Sequence, residues 1–309
     1  MCGEIRMAFH SNSSSGRVLV TGANGFTGKY VIQELTEAGY EVIGFVHAVI
    51  ASPNEIQVDL TVIEQVRAAI LQAKPDYVIH LGAISSVQHE AIDEFYKVNV
   101  IGTLNLLQAL IDVGCQPKKV IVASSANIYG NSSISPITEA LQPHPVNHYA
   151  CSKLAMEYMV QTFFEKLPII ITRPFNYTGV GQPDFVLIPK IVNHFRLQKR
   201  DIELGNIDVI RDFSDVRTVA HIYRLLMECE QQSLIANICS GEGHSLTNVL
   251  HYMAQLAGYE MQIHVNPAFV RANEVHRLIG SNTLLKSVIG NYNACNLQAT
   301  LAWMYEKKS

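Results

Sequence analysis

Tyr149 and Lys153 stand four residues apart in NHYACSKLAMEY, residues 147–158, at the start of a run with helical character. Four residues is about one helical turn, so the two side chains share a face. A phenol beside an ammonium is acid–base chemistry. A free phenol has a pKa of about 10, and a nearby cation favours the phenolate and draws that value towards neutrality. Alone, the pair also fits two residues on a solvated helix face. Upstream, VASSANIYG brings Ser124 and Ser125 to the end of an apolar run. A Ser125 hydroxyl can polarise a carbonyl that Tyr149 then protonates. Together these residues suit reduction of a ketone, in which hydride reaches carbon and a proton reaches oxygen.

The hydride donor has its own signature. VTGANGFTGKY places Gly22, Gly25 and Gly28 in a GxxGxxG pattern between a strand-like run and a helix-like run. Such glycines permit a tight turn, let backbone approach a pyrophosphate and pack helix against strand. The helix N-terminus then offers free N–H groups to the phosphates. An acid at the end of the second strand would accept from a ribose 2′-hydroxyl and repel a 2′-phosphate. GFVHAV has no acid there, and His47 is its polar group, which favours NADPH, with NADH as the alternative donor. Asp59, in VDL, is placed either for an adenine edge or as a solvated loop carboxylate. Lys153 can also hold the nicotinamide ribose.

These groups need a scaffold, and the chain alternates. RVLVTG, EVIGFV, EIQVDL, YVIHLGA, KVIVASS and IIITRPF read as six strands, apolar throughout as in a parallel sheet covered on both faces. Helical spacing runs through GKYVIQELTEAG, through Thr61–Ala73 up to Lys74-Pro75, and through Val98–Val113. The expected fold class is α/β: a doubly wound parallel sheet of the Rossmann type with a smaller C-terminal α/β substrate-binding part. After Arg173 the rhythm changes. A helix near Val186–Gln198, then DIELG, RDFSDV and ANICSG, precede a helix that Ser245 caps and Gly258 stops. The expected division is a flexible extension at 1–16 and a dinucleotide-binding domain at 17–175 that also receives roughly 206–240. Residues 176–205 and 241–309 would form the substrate-binding domain.

Composition narrows the partners. With 309 residues and 48% hydrophobic content the chain can bury one large core or two moderate ones. A net charge of −4 and no basic cluster beside aromatics argue against nucleic acid. No apolar run reaches the length of a membrane span. Six scattered cysteines without a CxxC point to reduced thiols in a cytoplasmic protein, and twelve histidines without HxH or HExxH give no metal site.

TGANGFTG, HLGA, YKVNVIGTLNLLQA, SSANIYG, YACSK and RPFN together resemble the extended short-chain dehydrogenase/reductases that act on nucleotide sugars, from Arg17 over nearly the whole chain. The resemblance implies Asn99 as a structural and proton-relay residue beside Ser125, Tyr149 and Lys153. It implies Asn24, Phe26, Thr27, Leu60, Leu81, Gly82 and Ala83 as cofactor contacts with the glycines. RPFNYTGVGQ, GNIDVIRDFSDV, ANICSGEG and EVHRLIGSN are similar to the GDP-4-keto-6-deoxy-D-mannose reductase branch of that family. That likeness implies Asn176 and Arg211 on the diphosphate, Arg271 and Glu274 on phosphate and nucleotide ribose, and Ser86 and Asn127 on the substrate. The plainer alternative for Arg211 is an ion pair with a buried Asp212 or Asp215. The expected reaction is NAD(P)H-dependent reduction of a C4 ketone, giving GDP-D-rhamnose or its epimer GDP-6-deoxy-D-talose. A homodimer through the helix near Ile92 and the Tyr149 helix is implied too.

Related GDP-mannose 4,6-dehydratases carry Glu two residues after the hydroxyl residue, where this chain has Asn127. A neutral amide cannot remove the C5 proton. His148 stands where Pro is usual, FNYTGVGQ replaces FNHIGPGQ, and the usual GWxP is absent. Two other readings remain at this stage: a nucleotide-sugar 4-epimerase that keeps NAD bound, and a non-catalytic NADP-binding sensor.

Overall fold

The computed structural model describes residues 15–47, 49–85, 89–269 and 275–307. The apolar runs form strands β1 (Arg17–Thr21), β2 (Glu41–Val46), β3 (Glu55–Gln57), β4 (Tyr77–His80), β5 (Lys119–Ala123) and β6 (Ile169–Pro174). Four more follow: β7 (Asn176–Thr178), β8 (Asp201–Leu204), β9 (Ile210–Asp215) and β10 (Leu234–Ile238). The last three are β11 (Gly243–Ser245), β12 (Gln262–Val265) and β13 (Arg277–Leu278). Seven strands make one sheet in the order β10-β6-β5-β4-β1-β2-β3, with every pairing parallel. The chain winds outward from β1 through β3 and returns beside β1 with β4. That reversal opens a crevice at the carboxyl ends of β1 and β4, where such sheets bind ligands.

The helices are α1 (Phe26–Glu37), α2 (Ile63–Ala73), α3 (Ile92–Tyr96), α4 (Thr103–Asp112) and α5 (His148–Gln161). After them come α6 (Leu187–Arg196), α7 (Val216–Glu228), α8 (Leu246–Ala257), α9 (Thr283–Ile289) and α10 (Leu297–Glu306). Alternation along each strand sends side chains to both faces. Leu19, Val78, Val120 and Ile171 pack on one face with α2, α4 and α5. Val20, Ile79, Ile121 and Ile170 pack on the other with α1, α7 and α9. This is the doubly wound α/β architecture expected from the sequence.

A second lobe has its own apolar cluster, in which Phe195, Leu204, Phe213, Val249, Met253 and Leu301 bring together α6, α8, α10, β8 and β9. Strand β9 sits between β11 and β13 and also pairs with β7, while β8 pairs with β12. From Val216 the chain returns to the large sheet through α7 and β10, and α9 later adds Leu285 to the same face. Caps follow the sequence signals. Ser245 and Asn248 form a capping box, Gly258 ends α8 in a left-handed conformation, and Lys74 does so for α2. Lys97–Gly102 form a π-helical turn within the run read from sequence as one helix.

Candidate active site

The glycine loop joins β1 to α1. Gly22 has a φ of +67°, a left-handed conformation that favours glycine. A Cβ on Gly28 would lie 2.3 Å from the Gly22 carbonyl oxygen and 2.7 Å from that of Ala23. Only hydrogen fits, so α1 closes tightly on the loop. Gly25 is the N-cap of α1 and no side chain caps it, so the first N–H groups stay free for an anion. Asn24 is exposed and Phe26 and Thr27 are half-buried around that end. Across the crevice, Leu81 N–H and Gly82 N–H both donate to Thr21 Oγ, at 3.1 and 2.9 Å. Gly82 and Leu60 are in close packing, and Ala83 continues the same edge. His47 is exposed just past β2, and its backbone carbonyl accepts from Gln57. Asp59 Oδ1 accepts from Thr61 N and Oγ. Those bonds, with His47 nearby, hold its carboxyl below the usual range. A cradle that excludes a Cβ and a helix start free of side-chain caps fit a dinucleotide phosphate.

Ser125 follows β5 and caps a short 3-10 turn by accepting from Asn127 N–H at 3.2 Å. Asn147 caps α5 by accepting from Ala150 N–H, which places Tyr149 in the helix's first turn and Lys153 one turn on. Ser125 lies beside Tyr149 and acts to lower its phenol. Lys153 Nζ donates to the Ala123 carbonyl at 2.8 Å. The three residues read from sequence therefore meet at the end of β5. Their electrostatics depart from expectation. Burial pushes the Tyr149 phenol up to about 12, while Ser125 acts the other way. Burial pushes Lys153 down to about 8, opposed by Glu157. Desolvation outweighs the lowering of the phenol expected from Lys153, whose ammonium donates to the Ala123 carbonyl.

A buried chain of hydrogen bonds links the two halves of the crevice, and sequence reasoning missed most of it. Thr21 Oγ contacts His80 Nδ1 at 2.7 Å, His80 Nε2 contacts Thr103 Oγ at 2.8 Å, and Thr103 Oγ donates to the Asn99 carbonyl at 2.7 Å. The carbonyl can only accept, so the Thr103 proton is committed to it. Thr103 must then accept from His80 Nε2–H, which leaves Nδ1 to accept from Thr21. Burial, with the Lys153 charge in support, drives the imidazole down to about 3. Asn99 lies in the π-helical turn. Its side-chain amide donates to Ile84 O and Ser152 Oγ and accepts from Ile84 N–H, and Ser152 Oγ donates to the Tyr149 carbonyl. Asn99 thus holds the backbone under Tyr149. The sequence signal was polar residues inside apolar elements, at Thr21, His80 and Thr103.

On the substrate side, Asn127 is half-buried two residues from Ser125, and Asn176 is exposed on β7. Arg211, half-buried on β9, donates to the carbonyls of Ile210 and His276. Asp212 is bound instead by Ser240, Gly241 and Gly280, and Asp215 by Arg217 and Thr300. Ser86, Arg271 and Glu274 lie outside the described residues. Among the described residues no cluster of His, Cys, Asp and Glu could hold a metal ion, and no helix is long and apolar enough to cross a membrane.

Comparison with known proteins places this geometry. A family model described as the NAD dependent epimerase/dehydratase family matches residues 18–239. A GDP-6-deoxy-D-talose 4-dehydrogenase from Aggregatibacter actinomycetemcomitans is 36% identical, over 94% of this chain and 98% of its own. A GDP-6-deoxy-D-mannose reductase from Pseudomonas aeruginosa is 33% identical over 89% and 91%. Among solved structures, a presumed epimerase from Burkholderia cenocepacia superposes with a TM-score of 0.90 at 44% identity, covering 96% of this chain and 98% of its own. RMD from Pseudomonas aeruginosa, complexed with NADPH, gives 0.84 at 30% identity, covering 94% and 98%.

Proposed function

The chain belongs to the NAD-dependent epimerase/dehydratase family, and on that premise we propose that it reduces the C4 ketone of a GDP-4-keto-6-deoxyhexose with NADPH. The observation that carries the reading is the meeting of Ser125, Tyr149 and Lys153 at the end of β5, on the sheet edge that also carries the glycine loop. The bound nicotinamide supplies the hydride. Ser125 donates a hydrogen bond to the ketone oxygen and Tyr149 gives it a proton. Lys153 offsets the phenolate left behind, and Asn99 keeps the Tyr149 turn in place. The uncapped start of α1 takes the cofactor diphosphate. The lack of an acid after β2, with His47 there instead, supports NADPH, as does the NADPH in the Pseudomonas structure. Asn176 and Arg211, with Arg271, Glu274 and Ser86, take the nucleotide diphosphate and sugar. The relative named for the talose sugar has the higher identity, which favours GDP-6-deoxy-D-talose over GDP-D-rhamnose as product. We also infer a homodimer through α3 and α5.

The test is a coupled assay. GDP-4-keto-6-deoxymannose is generated in situ, the protein and NADPH are added, and the product sugar is identified by NMR. NADPH consumption with a talose or rhamnose product is expected. If NADPH is not consumed and the purified protein carries NAD that interconverts C4 epimers, the reductase reading falls to the epimerase. Conversion of GDP-mannose to its 4-keto product would overturn the role given to Asn127.

A further inference from the structure

Helix α5 carries a third ionisable residue on the face of Tyr149 and Lys153. Glu157 is one turn beyond Lys153, and the two are 1% and 4% exposed. Both oxygens of Glu157 are held by the Arg173 guanidinium on β6, at 3.0 and 3.2 Å to Nε and 2.6 Å to Nη2. Arg173 is fixed in turn: Nη1 donates to Tyr129 Oη at 2.9 Å and the ring lies beneath the guanidinium. Lys153 does not join this ion pair; its Nζ donates to the Ala123 carbonyl instead.

We propose that Glu157, clamped by Arg173, is a positioning residue for the proposed reaction: a buried counter-charge one helical turn from Lys153 that keeps the lysine protonated. The inference rests on the reading of Lys153 as the working cation. Side chains one turn apart on a helix lie about 6 Å from each other. In a buried setting, charges at that separation interact strongly enough to move a titration by about one to two pH units. The direction agrees with Lys153 itself, which burial lowers and Glu157 raises. The other groups around the pair do not substitute for it. On α5 Tyr149 holds its proton, on β4 His80 is kept neutral, and Tyr129 beside Arg173 is pushed up to about 12 by burial. Glu139 acts on Tyr129, and its carboxylate accepts from Asn237 N–H. Arg173 grips both Glu157 oxygens, so its part is to hold the carboxylate in place.

The test follows Lys153 directly, without turnover. The protein is labelled with 13C at the lysine ε-carbon, and the Lys153 signal is assigned by its loss in Lys153→Met. Its pH titration is then compared in Glu157→Gln and Glu157→Asp. Wild type should titrate at about 8. Glu157→Gln should titrate about one pH unit lower or more, with Glu157→Asp between. A folded Glu157→Gln that titrates with wild type overturns the proposal. Removing Glu157 alone strands a buried guanidinium, which can prevent folding. In that event Glu157→Gln/Arg173→Gln carries the test: it should show the same lowered titration, and a wild-type value overturns the proposal. If turnover is measured, the pH at which reduction falls off should move down with the titration. A lowered titration in a protein that reduces no keto sugar upholds the counter-charge and overturns the reductase reading.

Discussion

The chain through His80 makes a prediction about acid. The folded protein holds this imidazole neutral, at about 3, while an unfolded histidine titrates at about 6.5. Between those values the unfolded chain binds a proton that the folded chain refuses. Stability is therefore fully present above the unfolded value and is lost as the pH falls towards the folded one. The loss is about 1.4 kcal/mol per pH unit, or about 2.7 kcal/mol at about pH 4.5. His80→Gln removes the titration. At neutral pH it also loses one of two buried hydrogen bonds, at a cost of about 2 kcal/mol. The two effects oppose each other, so the stability curves of wild type and variant should cross near about pH 5. Urea unfolding of both proteins at about pH 7, 5.5 and 4.5 reads this out. Other acid-sensitive groups are common to both and cancel in the difference. A wild-type advantage that stays constant across that range would refute the neutral, doubly bonded imidazole and the proton order deduced for Thr21, His80 and Thr103.

Three further outcomes are expected. Tyr149→Phe should lower turnover by about 10²- to 10⁴-fold, the scale of a lost general acid. NADPH affinity, read by nucleotide fluorescence, should stay within about twofold. Gly28→Ala should weaken NADPH and NADH alike by at least about tenfold, because the new methyl meets two backbone carbonyls and displaces α1 from the phosphates. Calorimetric titration with each cofactor checks it, and unchanged affinity would remove the glycine loop from the site. His47→Gln should weaken NADPH several-fold and leave NADH unchanged, since only NADPH brings a 2′-phosphate to accept from the imidazole. Equal effects on both cofactors would move the 2′-phosphate contact elsewhere.

The large sheet was legible because its strands are buried on both faces and read as unbroken apolar runs. Local chemistry also marked the ends of α8, with Ser245 at one and Gly258 at the other. Strands β7, β11 and β13 have two or three residues each. No periodicity can develop over that length, and their partners lie far along the chain. Helix α7 carries apolar positions at helical spacing and a capping Asp215, and is not assigned from sequence although its pattern was readable. The π-helical turn was hidden for another reason: a change in backbone bonding leaves side-chain spacing almost unaltered over so few residues. Ser125, Tyr149 and Lys153 were legible as types at telling places. The chain around His80 was not, since its members come from β1, β4 and the start of α4 and meet only when the sheet forms.

The raised phenol bears on direction. Sequence alone favoured an ammonium that draws Tyr149 towards neutrality, which would leave some phenolate at rest. In the folded chain desolvation prevails, and Tyr149 keeps its proton across the neutral range. A group that begins protonated is ready to donate to a carbonyl oxygen as negative charge develops there, whereas alcohol oxidation needs the phenolate first. The same burial makes the phenolate costly once the proton has left, and the charge on Lys153 must then offset it. Lys153 is itself near its own midpoint, at about 8. Proton donation by Tyr149 should therefore weaken as Lys153 loses its charge. Reduction then has an alkaline limb near that value, set by the lysine well below the value of the tyrosine itself. A rate profile flat to about pH 10 would mean that Lys153 does not support the phenolate.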